Sequence, residues 1–201
     1  MIRIFALSAL ALLAFAGNSL LCRAALAHAR IDPASFTTLR LVSGAVTLGF
    51  WVWFRHGAVR GSWLSALALF VYAAGFSLAY VELSTAVGAL LLFGAVQATM
   101  MAEGVWRGER IGRYQMVGIA LACAGLVVLL MPGLSAPSWR GAWLMLLAGA
   151  AWGVYSLRGK SAQDPLQMTA GNFVRAVPFA MALSITDPPS SPVDTTGLAS
   201  P

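Results

Sequence analysis

The chain has 201 residues, of which 59% are hydrophobic and 10% charged, and it carries a net charge of +6. An ordinary soluble domain is about 25% charged, and a chain this poor in charge cannot cover a water-facing surface with polar side chains. A soluble enzyme is therefore excluded, and so is a nucleic-acid partner: the 13 Lys and Arg stand in short clusters beside long apolar runs, where they set topology and meet lipid head groups.

A bilayer core about 30 Å thick is crossed by roughly 20 mainly apolar residues in helix. Seven such spans are predicted: Ile4–Leu26, Ser35–Phe54, Trp63–Val81, Ser84–Gly104, Tyr114–Met131, Gly141–Leu157 and Met168–Ile185. The runs are nearly unbroken and rich in Leu and Ala, whereas barrel strands are short and alternate. The expected class is all-α, a polytopic bundle. The first span, with Arg3 before it and small residues at Ala24 to Ala29 after it, imitates a secretory signal. Asn18, Ser19 and Arg23 interrupt that stretch, which favours a retained helix. The final stretch, 186–201, holds four Pro, two Asp and no basic residue, and reads as a disordered polar tail.

Counting Lys and Arg by alternate loops gives eight on one side (Arg3, Arg55, Arg60, Arg107, Arg110, Arg113, Arg158, Lys160) and three on the other (Arg23, Arg30, Arg140). The richer side is expected to be cytoplasmic, with the N-terminus inside and, after seven crossings, the C-terminus outside. Cys22 and Cys123 lie in separate apolar runs, and His28 and His56 are isolated, so neither a disulfide nor a metal site is expected. A weak internal repeat is visible. Asp32-Pro33 opens the second span with Arg40 seven residues after the Pro, and Asp164-Pro165 opens the seventh with Arg175 ten residues after its own, a match that needs a three-residue gap. Copies separated by an odd number of spans are inverted in topology, as in many secondary transporters.

Three stretches resemble the EamA-type domain of the drug/metabolite transporter superfamily. They are Ala16-Gly17-Asn18-Ser19 with Asp32-Pro33 and Leu39-Arg40; Ala79 to Leu91; and Gly108-Glu109-Arg110-Ile111-Gly112 leading into Gln115, Gly118, Ala124-Gly125 and Val127-Val128. The resemblance covers roughly 5–185. It implies a protein of two inverted five-helix repeats that moves small solutes, often outward, at a cell (inner or plasma) membrane. It divides the chain into a first repeat at 4–131, a linker at 132–140, a partial second repeat at 141–185 that begins near Ala148-Gly149, and the tail. Three helices of the family pattern have no counterpart here. Two expectations follow: a truncated or frameshifted product that is inactive alone, or chains that complement one another by self-association. No cofactor is expected.

Transport needs polar groups facing a cavity inside the membrane. The candidates are Asn18, Arg40, Gln97, Trp152, Tyr155, Asn172 and Arg175. For Arg40, and in the same way for Arg175, two readings stand, a cavity cation for an anionic or zwitterionic solute and a side chain that snorkels to head groups. For the others, hydrogen bonding between helices is the competing role. Gly149 and Gly153, four apart, are expected to let helices approach closely. Glu103 with Arg107 and Glu109 with Arg113 have the spacing of local ion pairs. No Asp or Glu falls in the middle third of a predicted span, so a carboxylate proton relay is not expected. The clustered His, Asp, Glu or Ser residues of a membrane-embedded enzyme are not visible either.

Overall fold

A computed structural model describes residues 2–26, 31–130 and 138–186. The remaining positions, including 187–201 of the expected tail and most of the expected linker, lie outside the described residues. Every described element is an α-helix: α1 Ile2–Leu26, α2 Pro33–Phe54, α3 Trp63–Glu82, α4 Thr85–Trp106, α5 Arg113–Leu130, α6 Trp139–Gly159 and α7 Pro165–Thr186. Four of them, α1, α3, α4 and α7, are long and apolar enough to cross a membrane on length and composition. The other three have 22, 18 and 21 residues. At about 1.5 Å per residue they also match the bilayer core. The fold is an all-α polytopic bundle.

The helix ends are written in the local sequence. Asp32, Ser62, Ser84 and Ser138 are N-caps, and the side-chain oxygen of each accepts from the backbone N–H three residues on. Such a bond satisfies one of the donors a helix start leaves open. At its C-terminus α4 closes in a Schellman turn: Gly108 N–H donates to Val105 C=O at 2.9 Å, and Glu109 N–H donates to Gly104 C=O at 2.9 Å. Gly108 has the left-handed φ of +87° that this turn requires. The Glu109 carboxylate folds back so that its Oε2 lies 2.7 Å from where a Cβ on Gly104 would stand. The Gly-Glu-Arg stretch is thus a helix stop. The same bonds close α2, from His56 N–H to Trp53 C=O and from Gly57 N–H to Val52 C=O, but there His56 takes the left-handed position, with φ +52°.

Helix α3 is the centre of the bundle, with Ala66, Phe76, Ser77, Ala79 and Tyr80 fully buried. It packs most extensively on α6 and then on α7 and α2. Small residues permit the approach. A Cβ on Gly75 of α3 would stand 3.0 Å from Leu144 C=O of α6, and one on Gly149 of α6 would stand 2.5 Å from Leu92 C=O and 2.6 Å from Ala95 Cβ of α4. Gly153 meets Thr99 of α4 in the same way, so the pair four residues apart serves close helix packing, as expected. At one end, Glu82 of α3 accepts from Ser138 Oγ and pairs with Arg140 at 3.7 Å, which ties the end of α3 to the start of α6.

Helices α2 and α7 run antiparallel. Thr38 Oγ1 donates to Ala180 C=O at 3.0 Å near one end, and the Phe173 ring fills the space that Gly44 leaves open in the middle. The starts of the two helices are alike. Asp32 accepts from Ser35 N–H at 2.8 Å, and Asp164 accepts from Leu166 and Gln167 N–H at 3.0 and 3.1 Å. Thr37 Oγ1 donates to Pro33 C=O and Thr169 Oγ1 to Pro165 C=O, both at 2.7 Å. One constant offset therefore carries Asp32-Pro33 onto Asp164-Pro165 and Thr37 onto Thr169, and it also carries Ala16-Gly17 onto Ala148-Gly149. This register has no gap and places Asn172, rather than Arg175, at the position that corresponds to Arg40.

Helices α1 and α5 are peripheral. The first half of α1 is exposed, whereas Ser19, Cys22 and Leu26 are buried on the bundle. Arg23 in its last turn donates from Nη1 to Tyr80 and Val81 C=O at 2.5 and 3.1 Å, supplying donors to carbonyls at the C-terminal end of α3. Tyr114, Met116, Val117 and Leu121 of α5 face outward. In a bilayer these are lipid contacts.

Candidate functional site

Arg40 lies seven residues after Pro33, about 10 Å into α2 at 1.5 Å per residue. Its guanidinium turns into the bundle. The carbon centre is 5.2 Å from the Phe76 ring centroid, 5.6 Å from that of Phe36 and 5.9 Å from that of Tyr72, and Nη1 reaches Ser77 Oγ at 3.5 Å. Each such ring contact is worth about 0.5–2 kcal/mol depending on desolvation. Among the described residues the two ion pairs involve Arg107 and Arg140, so no carboxylate neutralises Arg40. The guanidinium borders a cavity of about 430 Å³ whose polar lining is Asn18, Arg40, Ser43, Thr47 and Tyr72, with Phe173 contributed by α7. Four helices, α1, α2, α3 and α7, build its walls.

A ladder of aromatic rings supports this wall. Tyr72, Phe76 and Tyr80 stand at i, i+4 and i+8 on α3, with centroids 5.4 and 4.6 Å apart in sequence. Trp152 of α6 lies on Tyr72 at 4.6 Å and stacks on Tyr155 at 5.4 Å, and Phe15 of α1 meets its edge at 6.3 Å. Cys22 Sγ donates to Asn18 Oδ1 at 3.7 Å on the α1 side. Of the sequence candidates, then, Asn18 and Arg40 line the cavity, Trp152 backs it through Tyr72, and Tyr155 stands one ring further away. The Tyr155 hydroxyl is buried with no hydrogen-bond partner among the described residues.

The remaining three candidates are elsewhere. Gln97 is exposed on α4 in an apolar groove of about 790 Å³ against α5. Asn172 is wholly buried, and its Oδ1 accepts from Ser62 N–H, the N-cap residue of α3, at 3.0 Å. A missing Cβ at Gly61 makes room for that amide, since an added one would stand 2.8 Å from Asn172 Oδ1. Arg175 donates from Nη1 to Gly171 C=O, one turn back in its own helix, at 3.0 Å. Tyr72, Phe36, Phe76 and Ser77 were not singled out in the sequence, although the i, i+4 spacing of aromatic residues on α3 is a signal that could have drawn attention to the first and third.

A family profile described as the EamA-like transporter family matches residues 2–131. The chain belongs to that family. It is also 53% identical over 200 residues to an uncharacterized protein of Pseudomonas aeruginosa, covering 98% of this chain and 70% of that protein. No solved structure matches. Membership agrees with the sequence resemblance and with the polytopic helical fold: this EamA-like chain is a multi-pass membrane protein of a transporter family.

Proposed function

We propose that the chain forms part of a secondary carrier of small metabolites or drugs, running outward, with the cavity at Arg40 as its solute site. The observation that supports this most is a half-buried guanidinium with no carboxylate partner among the described residues, beside a cavity of about 430 Å³ with a mixed polar and aromatic wall. A cation held there attracts an anionic or zwitterionic solute, and Asn18, Ser43 and Thr47 supply further hydrogen-bonding groups. In this reading α1–α5 are the first repeat and α6–α7 open a second, inverted one, which the antiparallel α2 and α7 and their matched N-caps favour. In this reading the ends of α2, α4 and α6, which carry the richer Lys and Arg loops, face the cytoplasm at an inner or plasma membrane.

Ser43 and Thr47 are exposed, so the cavity lies open along that flank of α2. A closed pathway needs more wall there, either from further helices of the same fold or from a second copy of this chain. The test is solute flux in proteoliposomes, comparing the 201-residue chain with one continued after Ile185 by the three further helices of a second repeat from a relative. In the continued form, Arg40→Ala should cut flux at least about tenfold at equal membrane abundance, and Arg40→Lys should recover part of it. Equal flux by wild type and the alanine variant refutes the site.

A further inference from the structure

A second polar pocket, of about 540 Å³, lies at the end of the bundle where α2 passes into α3; its lining includes Arg60, Ser62, Ser65, Arg158, Asp164 and Gln167. Ser62 caps α3, its hydroxyl accepting from Ser65 N–H at 3.1 Å and donating to Ser65 Oγ at 2.8 Å. Onto these two hydroxyls comes Arg158 from the last turn of α6, with Nε donating to Ser65 Oγ at 2.9 Å and Nη2 to Ser62 Oγ at 3.4 Å.

The charges in this arrangement do not balance. The start of a helix carries about half a unit of positive charge, and the first turn of α3 holds no acidic residue. A guanidinium nevertheless rests against it, and Arg60, two residues before the cap, lines the same pocket. Neither arginine pairs with a carboxylate among the described residues, where both ion pairs lie elsewhere. Asp164 also lines the pocket, its Oδ1 accepting from the N–H groups of Leu166 and Gln167 as the cap of α7, and its one negative charge offsets at most one of the two arginines. Two cations and a helix N-terminus thus meet at a space large enough for a tetrahedral oxyanion, and Arg158, which gives Nε and Nη2 to the two serines, has no described bond from Nη1.

We propose that this pocket binds a phosphate group, held between Arg60 and Arg158 over the N-terminus of α3. The Ser62 and Ser65 N–H groups are already taken, so the arginines supply the bonds, charge-assisted and in fixed geometry, and the start of α3 adds its dipole. The phosphate can come from a lipid head group at the bilayer surface or from solution. Binding would fasten the end of α6 to the start of α3, at a site separate from the Arg40 cavity.

The test uses the full chain in lipid-free maltoside micelles, read by thermal unfolding and native mass spectrometry. One arm titrates inorganic phosphate against sodium chloride of equal ionic strength; the other adds phosphatidylglycerol in a buffer free of inorganic phosphate. The wild type should gain thermal stability in at least one arm, and the responding arm names the source. Arg60→Gln, whose side chain makes no hydrogen bond or ion pair within the described residues, should weaken the apparent affinity about tenfold, the loss of one charge-assisted bond. Arg158→Lys, which keeps the charge but loses the fork, should weaken it less than Arg158→Gln. Arg55→Gln, at the same end but stacked on Trp51 outside the pocket, should leave it unchanged. The proposal is overturned if neither probe raises the stability of the wild type, or if Arg55→Gln loses as much affinity as Arg60→Gln.

Discussion

Gly149→Ala adds one methyl group at the crossing of α6 and α4, and the geometry there sets its cost. The new carbon would stand 2.5 Å from Leu92 C=O and 2.6 Å from Ala95 Cβ, with the Leu92 carbonyl carbon at 3.3 Å. Carbon contacts settle at about 3.5–4.0 Å, so the two helices have to part by about 1 Å. The nearest obstacle is backbone, which cannot rotate away. Overpacking of this kind costs about 1–3 kcal/mol, or roughly 2–4 °C of melting temperature per kcal/mol at this chain length. Tryptophan fluorescence on heating in detergent measures it, since Trp152 lies one turn along the same helix. The control is Gly94→Ala on α4, where an added Cβ meets nothing within 4 Å and where alanine is the better helix former by about 1 kcal/mol. Ala95→Gly combined with Gly149→Ala should return part of the loss, because it removes the methyl-to-methyl clash and leaves the one with the carbonyl. If Gly149→Ala and Gly94→Ala melt together, the crossing is looser than described and the argument fails.

Other outcomes follow from single positions. At Asp32, burial works against the charged form, but the bonds from Ser35 and the neighbouring backbone outweigh it and hold the carboxyl below its ordinary value. The ionised cap therefore stabilises at neutral pH and loses that contribution as pH falls through the lowered value. Asp32→Ala should cost about 1 kcal/mol at pH 7, and the melting curves of variant and wild type should converge as pH falls below that lowered value; a gap that widens in acid would contradict this. His56→Gly, at φ +52°, should stabilise by up to about 1 kcal/mol through relief of the left-handed strain, and a loss of stability on denaturant titration would contradict it. Asn172→Ala leaves Ser62 N–H without its acceptor and should lower stability by about 1–3 kcal/mol. Flux per folded molecule should not change in that variant, because Asn172 lies outside the Arg40 cavity; a drop in flux at equal abundance would return it to the site.

The sequence reading reached different depths at different residues. The spans were legible because apolar runs end at residues with their own capping chemistry, so Asp32, Ser62 and Ser84 fall where the helices begin. Arg40 was legible because a cation inside an apolar run has few explanations. Its counterpart in α7 depends on the register chosen. Matching one arginine to another required a gap, whereas the Asp-Pro cap and the Thr hydroxyl four residues beyond each Pro align without one and give Asn172. Gln97 shows a different limit: a polar residue in a span satisfies a pattern whether it faces a cavity or, as here, a groove beside α5. Tyr72 was missed because aromatic residues one turn apart look the same in a helical core as in a cavity wall, and only the arrival of Arg40 from another helix tells the two apart.

The central place of α3 bears on how the protein is made. Its inward face is covered mainly by α6 and α7, which leave the ribosome long after it does, while α2, the earlier neighbour, covers less. At about 5–20 residues per second, the hundred or so residues from the end of α3 to the end of α7 take roughly 5–20 s to synthesise. Through that interval Ser65 and Tyr72, whose partners Arg158 and Trp152 come from α6, have lipid or an insertion factor for company in their place. The nascent chain therefore passes through a half-built stage in which its central helix is its least protected one, and the arrival of α6 and then α7 ends it.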